Sequence, residues 1–327
     1  MSGIMDDAAD SLASGIDILQ TRDRFRAALD EEKSRGQTLP KIADRTGVAY
    51  ATLHAWLSAK YNGDNAAVAK KVHAWLLTRE ARARTQATVR RAPGFLKTRT
   101  ATQIFDVLEY AQTAPDMVIV SGGPGVGKTT AIRAYEAIGA NVWVTTAEPA
   151  VSSVPGLLDM LMDALKLEPG YRGSTMSRRV RDKLLGSEGL LIVDEAQHLK
   201  PMLRDQLRAT VHDAAGIGVA LVGNEALSGQ FARERATGQY AQLISRFGQR
   251  VNRAKPYKAD AELLLDGWQI QGAEARETAL GIAMQPGALR QMNKTLRIAF
   301  SLSDLRGDEE PTAHDIQAAW KQLGGLG

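Results

Sequence analysis

One segment of the chain is suited to holding the phosphates of a nucleotide. Residues 122–129 read GGPGVGKT and fit the spacing G-x-x-x-x-G-K-[ST], the Walker A pattern. Glycines let backbone N–H groups turn inward around phosphate, and a helix that starts there adds positive potential. Lys128 can reach the β- and γ-phosphates of ATP, and the Thr129 hydroxyl can ligate Mg²⁺. The predicted binding residues are Gly122, Gly123, Pro124, Gly125, Val126, Gly127, Lys128, Thr129 and Thr130.

A pair of carboxylates further along the chain complements this loop. The segment GLLIVDEAQHL is an apolar run that ends in Asp194 and Glu195. We expect Asp194 to hold Mg²⁺ together with Thr129, and Glu195 to orient or polarise the attacking water. Acids at strand ends also cap helices, but the phosphate-binding loop favours the catalytic interpretation. His198 has no partner at metal-ligand spacing in the sequence and is interpreted as a local hydrogen-bonding residue.

Three other polar residues are candidates because of where they stand in the chain. Asn224 follows the apolar run GVALVG, where its amide would contact the γ-phosphate or the water; a turn-forming asparagine is the alternative. Arg246 in LISRF and Arg290 in PGALR carry little signal separately, because most arginines are solvated surface residues. Their importance comes from the order of the motifs along the whole chain.

The elements that must position these residues are predicted from periodicity. Four short apolar runs, MVIVS, NVWVTT, LLIVD and GVALVG, begin at Met117, Asn141, Leu190 and Gly218. Because segments long enough for helical crossovers separate them, we predict buried parallel strands of an α/β domain. From about Ala259 the pattern is helical, and Thr312 is expected to cap a last helix with Asp315 three residues on.

The N-terminal part of the chain has a different sequence pattern. Residues 16–80 have apolar side chains at helical spacing. Within them, Ala43, Gly47, Leu53 and Trp56 stand at the spacing of a helix-turn-helix. Near the start of its second helix, Tyr50, Ala51, Thr52 and His54 would meet base edges or phosphates. A helical pair used for protein contacts or packing is the alternative.

Two segments are rich in basic residues. Residues 79–99 carry Arg79, Arg82, Arg84, Arg90, Arg91, Lys97 and Arg99 against the single acid Glu80. We predict a helix end that runs into a positively charged linker, which is either a solvated face or a DNA contact. The second segment, SRRVRDK, is a candidate on charge density alone and carries Arg178, Arg179, Arg181 and Lys183.

Composition limits the classes of protein. A length of 327 residues predicts two or three domains, and 44% apolar with 24% charged residues is typical of an ordinary globular protein. The absence of cysteine excludes disulfides, cysteine nucleophiles and thiolate metal sites, and is compatible with a reducing compartment. The N-terminus lacks a basic start before an apolar core, and no run approaches the roughly 18 apolar residues of a membrane span. We therefore expect a cytoplasmic protein without a membrane partner.

Taken in order, GGPGVGKT, LLIVDEAQ, VGNEAL, LISRF and PGALR resemble the motifs of the AAA+ ATPases, from roughly Gly94 to the end. The resemblance implies an α/β P-loop core, a parallel sheet with flanking helices, followed by a helical C-terminal lid. We assign residues 1–90 to an all-helical N-terminal domain with the helix-turn-helix, 91–255 to the core and 256–327 to the lid. The resemblance also implies roles for three residues: Asn224 as first sensor, Arg246 as a finger reaching the neighbouring subunit's nucleotide, and Arg290 as second sensor. Three other arginines compete for the finger role: Arg233, Arg235 and Arg250.

Within that class, DEAQHL with a small lid looks like the transposition ATPases. The front helix-turn-helix followed by KYNGDN is similar to the B transposition proteins of Mu-like phages. This resemblance implies an ATP-bound homo-oligomer, with nucleotide between subunits, that assembles on double-stranded DNA with little sequence preference and engages a transposase. Two alternatives stay open. One is a motor or helicase-loader-like ATPase, and the other is an ATP-regulated transcription factor whose front helices bind an operator.

Overall fold

The computed structural model describes residues 16–88, 90–170, 173–237 and 241–325. Contacts within the chain divide it into two units, Met1–Arg90 and Arg91–Gly327. Residues 1–15 of the acidic N-terminal segment lie outside the described residues, and so does the side chain of Arg84. In the described part of the chain, no helix combines the length and the apolar character that crossing a bilayer requires.

The first unit contains four helices within its described residues. These are α1 (Ile18–Ser34), α2 (Leu39–Thr46), α3 (Tyr50–Leu57) and α4 (Asn65–Thr88). Their shared core includes the buried side chains of Phe25, Leu53, Trp56 and Val72. The last helix extends to Thr88 and so ends within residues 79–99, the segment where we predict a helix end. At residues 79 and 80 ion pairs join this helix to α1, because Arg79 contacts Glu31 and Glu80 lies 2.6 Å from Arg24.

The predicted turn between two short helices lies between α2 and α3. Gly47 ends α2 with φ of +66°, a left-handed backbone that glycine adopts without steric cost. Ala43, Leu53 and Trp56 are buried where these helices meet. The side chains of Tyr50 and His54 are exposed. The use of this surface for DNA stays a prediction.

A parallel sheet is the centre of the second unit. Its strands are β1 (Met117–Gly122), β2 (Val142–Thr146), β3 (Leu190–Asp194), β4 (Gly218–Gly223) and β5 (Phe247–Arg253). Among the described residues the spatial order is β2-β3-β4-β1-β5, with every neighbouring pair parallel. The first four match the predicted apolar runs. The edge strand β5 was missed, because its sequence FGQRVNR is largely exposed and lacks an apolar run.

Helices cover both faces of the sheet, which is why β1, β3 and β4 are buried along their whole length. On one face, Val118, Val120 and Ile192 pack with helices α5 (Arg99–Thr113) and α6 (Lys128–Ile138). On the other face lie α7 (Val154–Ala164), α8 (Ser174–Leu184), α9 (Pro201–Leu207), a π-helical turn (Arg208–Asp213) and α10 (Glu225–Thr237). A short helix, α11 (Ala241–Ser245), precedes β5. Truncating a core residue such as Ile192 to alanine costs about 2–5 kcal/mol.

The C-terminal part is a helical lid. Its helices are α12 (Lys258–Trp268), α13 (Ala273–Ala283), α14 (Ala288–Asp304) and α15 (Ala313–Gln322). Trp268 and Phe300 stack in its core with ring centroids 5.3 Å apart. The predicted cap is confirmed, because Thr312 and Asp315 form a reciprocal capping box. Hydrogen bonds from Arg306 and Thr312 hold the pKa of Asp315 well below its usual range.

Candidate nucleotide-binding site

The phosphate-binding loop lies at the carboxyl edge of the sheet. It connects β1 to α6, and β1 has β4 and not β2 as its inner neighbour. Ligands of open α/β sheets bind in the crevice that such a reversal of strand order creates. Gly127 stands at the N-cap of α6 with φ of +102°. The unpaired N–H groups of the first helical turn therefore begin at the loop.

The side chain of Lys128 folds over this loop. Its Nζ donates hydrogen bonds of 2.8 Å and 2.9 Å to the carbonyl oxygens of Gly122 and Gly123. Burial lowers the pKa of Lys128, although the nearby carboxylates of Asp194 and Glu195 oppose that effect. The loop thus holds a cation close to two anions.

Thr129 and Asp194 bring two hard oxygen atoms together. The Thr129 hydroxyl donates a 2.8 Å hydrogen bond to Oδ2 of Asp194, whose side chain is buried at the end of β3. The other oxygen, Oδ1, accepts a 2.9 Å hydrogen bond from the backbone N–H of Glu195. Among the described residues no cluster of three or more His, Cys, Asp or Glu forms a metal cage. This donor set fits Mg²⁺, which uses one or two protein oxygens together with substrate phosphates and water.

Glu195 has an unusual backbone. Its φ of +55° is in the left-handed region, which non-glycine residues seldom adopt and which is found preferentially at functional sites. The side chain lines a cavity between the loop and the lid, of about 490 Å³, which we call the loop–lid cavity. Gln197, in the 3₁₀ turn Ala196–His198, donates a hydrogen bond to Oε2 of Glu195.

Asn224 also lines the loop–lid cavity, directly after β4. Its side-chain oxygen accepts a 2.9 Å hydrogen bond from the backbone N–H of Ala226 and so caps α10. The turn-forming alternative is therefore present in the structure, and the sensor role stays a prediction.

The lid forms the opposite wall of this cavity, and Arg290 is one of the residues that line it; its sensor role stays a prediction. Gly125 explains how closely loop and lid approach. It has φ of +80°, and a Cβ there would lie 1.9 Å from the carbonyl oxygen of Gly287. Only glycine fits this contact. The predicted residues that line the cavity are Pro124, Gly125, Val126, Gly127, Lys128, Thr129, Thr130, Glu195, Asn224 and Arg290.

Two lid cations were missed. Lys294 and Arg297 line the cavity beside Arg290, four and seven residues further along α14. That spacing places all three on one face of a helix, so the segment RQMNKTLR did contain the signal. What the sequence lacked was any indication that this face is turned towards the loop.

The second half of the predicted basic linker is a wall of the same cavity. Phe95 lines it and stacks on Phe105 of α5, with ring centroids 5.8 Å apart. Lys97 lies over the Phe105 ring at 5.5 Å, and Arg99 lies over the Tyr257 ring at 4.3 Å. These side chains therefore contact rings of the second unit, while Lys97 and Arg99 stay exposed, and the choice between a solvated face and a DNA contact stays a prediction.

Arg246 does not line the loop–lid cavity. It lies next to Met117, at the end of β1 away from the loop, and its Nε is 3.2 Å from Asp213. A six-residue strand separates it from the loop by roughly 20 Å. Half of its side chain is exposed. Arg233 and Arg235 are exposed on α10. Burial of Arg250 and the positive charge of Arg235 both lower the pKa of Arg250.

Two family models match the chain. The model described as "AAA domain" matches residues 112–231, which contain the phosphate-binding loop, Asp194 and Asn224. The model described as "Mu B transposition protein, C terminal" matches residues 245–323, which contain β5 and the lid.

Similar proteins extend these matches over most of the chain. The "ATP-dependent target DNA activator B" of Escherichia phage Mu is 33% identical over 309 residues, covering 94% of this chain and 96% of the relative. The "Mu-like prophage FluMu DNA transposition protein B" of Haemophilus influenzae is 35% identical over 264 residues, covering 79% and 90%.

Among solved structures, the ORC2 protein of Aeropyrum pernix has a TM-score of 0.51 at 15% identity, covering 71% of this chain and 69% of that one. At that identity the likeness concerns the fold alone. The structural likeness, the parallel sheet and the AAA match together confirm the predicted fold class: an AAA+ core that is preceded and followed in the sequence by helical segments.

Proposed function

The chain belongs to the family of Mu B transposition proteins, and from this premise we propose that it is an ATP-dependent DNA-binding ATPase that activates target DNA for a transposase. It binds double-stranded DNA with little sequence preference and oligomerises on it. One observation carries the proposal: the phosphate-binding loop and Glu195 line one cavity, and Thr129 of that loop is hydrogen-bonded to Asp194, in a chain with relatives that are named for target DNA activation.

The chemistry we propose is the hydrolysis of ATP. Lys128 and the loop N–H groups hold the β- and γ-phosphates, and Glu195 takes a proton from the attacking water. The water oxygen bonds to the γ-phosphorus while the bond to the β–γ bridging oxygen breaks, so that ADP and phosphate leave. Thr129 and Asp194 are the residues that would hold Mg²⁺, which neutralises charge on the phosphates. Asn224 orients the water, and Arg290 contacts the phosphates from the lid.

Arg246 cannot reach the nucleotide of its own subunit across a strand of roughly 20 Å. We propose that it completes the site of a neighbouring subunit, where such an arginine is worth about 10³–10⁵ in rate. Hydrolysis then depends on assembly. If ATP favours the assembled state, a shift from 1:99 to 99:1 requires about 5.5 kcal/mol of differential binding.

We take residues 1–90, 91–255 and 256–327 as N-terminal domain, ATPase core and lid. The N-terminal domain and the basic segments supply contacts to DNA phosphates. Since relatives are encoded by a phage and a prophage, we propose the host cytoplasm as the location.

The test is binding to an unrelated linear duplex with ATP, with ADP and without nucleotide, measured as affinity and as particle size. The wild type should form large particles on DNA only with ATP. Lys128→Ala should fail to do so, and Glu195→Gln should form particles that persist because ATP is not consumed. The control is Lys258→Ala, in which an exposed lid lysine that pairs with Glu262 is removed.

Three outcomes contradict the proposal. Tight binding that is independent of nucleotide, or protection of one sequence only, supports the transcription-factor alternative. Strand separation with continuous ATP turnover supports the motor or loader. If DNA assembly behaves as expected, stimulation of strand transfer by the transposase of the same element is the second measurement.

A further inference from the structure

Gln197 connects the ends of two strands, and the chemistry above gives it no role. Its side-chain nitrogen donates to Oε2 of Glu195, and its side-chain oxygen accepts a 3.2 Å hydrogen bond from the backbone N–H of Asn224. Its own carbonyl oxygen accepts a 3.1 Å hydrogen bond from Nε2 of Gln230 on α10. One residue therefore holds the carboxylate after β3, the first residue after β4 and the helix that follows.

The space for this side chain depends on glycine. A Cβ on Gly223, the last residue of β4, would lie 2.5 Å from the Gln197 side-chain oxygen and 3.0 Å from Leu227. A larger residue at this position would push the glutamine away from Asn224. The amide of Gln197 thus lies in a slot between the two strand ends.

The connection continues into α10. Gln230 accepts a 3.0 Å hydrogen bond from Nη1 of Arg204, a fully buried arginine. Arg204 also pairs with Glu234 and lies 4.6 Å over the ring of Phe231. A buried charge that is paired in this way is costly to displace, so these contacts hold α10 against α9, the helix that follows the Gln197 turn.

We propose that Gln197 is a positioning residue that sets the orientation of the Glu195 carboxylate and couples it to α10. The inference deepens the proposed function and rests on ATP hydrolysis at this site. Glu195 has a constrained left-handed backbone, but its side chain still rotates unless a neighbour holds it. A misplacement of about 1 Å costs up to about 100-fold in rate. Contacts that shift α10, which carries Arg233 and Arg235, thereby change the rate of hydrolysis.

The experiment uses Gln197→Met, which keeps the volume and removes the hydrogen bonds. We expect kcat for ATP hydrolysis to fall about tenfold or more while KM and nucleotide affinity stay within about twofold, because Gln197 contacts Glu195 and not the loop. The matched control is Gln206→Met. Gln206 is also half-buried, and its amide donates a 2.8 Å hydrogen bond to Thr210, one helical turn away. The kcat of the Gln206→Met variant should therefore equal that of the wild type.

A double-mutant cycle tests the coupling to α10. Gln230→Met alone should lower kcat about threefold. The double variant, which carries both substitutions, should have the same kcat as Gln197→Met alone, because Gln230 acts through Gln197. The inference is overturned if Gln197→Met keeps kcat within about twofold of wild type, or if the two effects multiply. It is equally overturned if nucleotide affinity falls together with kcat, since that result marks a purely structural role. If wild type and the Gln206 control hydrolyse no ATP, it is the proposed function that fails, and this inference fails with it.

Discussion

The Thr129 hydroxyl donates a 2.8 Å hydrogen bond to Asp194, and so ties the start of α6 to the end of β3. The two residues are far apart in sequence: Thr129 lies in the helix that follows β1, Asp194 ends β3, and β4 lies between these two strands. Oxygen atoms held in this way form one side of a site for a small, hard cation.

Removing one of these oxygens should change the metal requirement. In Thr129→Val, which keeps the shape, we expect the Mg²⁺ concentration for half-maximal ATP hydrolysis to rise about tenfold or more, while Thr129→Ser stays near wild type. A Mg²⁺ titration at fixed ATP measures this. Thr113→Val is the control, because its hydroxyl bonds only within α5. Equal Mg²⁺ dependence in the valine and serine variants would show that the hydroxyl is not a ligand.

Arg246 allows a test of a shared site. Arg246→Ala and Glu195→Gln should each hydrolyse ATP at less than about 1% of the wild-type rate. Mixed together, they should regain activity, because Arg246 of a Glu195→Gln subunit completes the site of an Arg246→Ala neighbour. Arg290→Ala should not be rescued in this way, since Arg290 lines the cavity of its own chain. If Arg246→Ala is not rescued, the same mixing experiment with Arg233→Ala, Arg235→Ala and Arg250→Ala identifies the finger.

The two lid cations should contribute to nucleotide affinity. Lys294→Ala and Arg297→Ala each remove one positive charge from the loop–lid cavity. We expect each to raise KM for ATP by about three- to tenfold with a smaller change in kcat, because the charge acts on bound phosphate in both ground and transition states. Steady-state kinetics with Lys258→Ala as the control measures this. An unchanged KM in both variants would place the phosphates away from α14.

The exposed cations of α8 should contact DNA phosphates. Arg178 and Lys183 are exposed, whereas Arg181 pairs with Asp182 at 2.6 Å. In the double alanine variant, the slope of log affinity against log salt should become shallower by about 1.8, at about 0.9 for each lost phosphate contact. A charge-matched control removes Arg133 and Lys258, which pair with Glu136 and Glu262. If both double variants behave alike, only net charge matters and α8 is not a DNA contact.

The capping box of the lid should make stability depend on pH. Arg306 lies 2.5 Å from Asp315, and the pKa of Asp315 is lowered, so its carboxylate stabilises the fold above the unfolded pKa of about 3.9. That contribution to stability is lost as the pH falls towards the lower pKa that Asp315 has in the folded state. Asp315→Ala should therefore reduce the free energy of unfolding by about 1–3 kcal/mol at pH 7, with a difference that shrinks below about pH 4. Thermal unfolding at several pH values checks this, and a constant difference between pH 7 and pH 3 would contradict it.

The catalytic core was predictable because its signals are local. The glycine spacing of GGPGVGKT, the acids that end LLIVD and the apolar runs of β1 to β4 depend on conformations within a few neighbouring residues and on burial of a whole strand. Thr312 and Asp315 are a local pair in the same sense. Such local patterns predict the same structure whatever the sequence of the distant parts of the chain.

The tertiary structure decided what depends on distant neighbours. The strand order placed Asp194 beside Thr129, and the sheet edge accepted β5 although its sequence is polar. Packing turned the cations of α14 towards the loop and brought Gln197 into the slot beside Gly223. The sequence by itself thus determined which residues can carry out phosphate chemistry. Their mutual positions came from contacts between segments far apart in the chain, which no local pattern encodes.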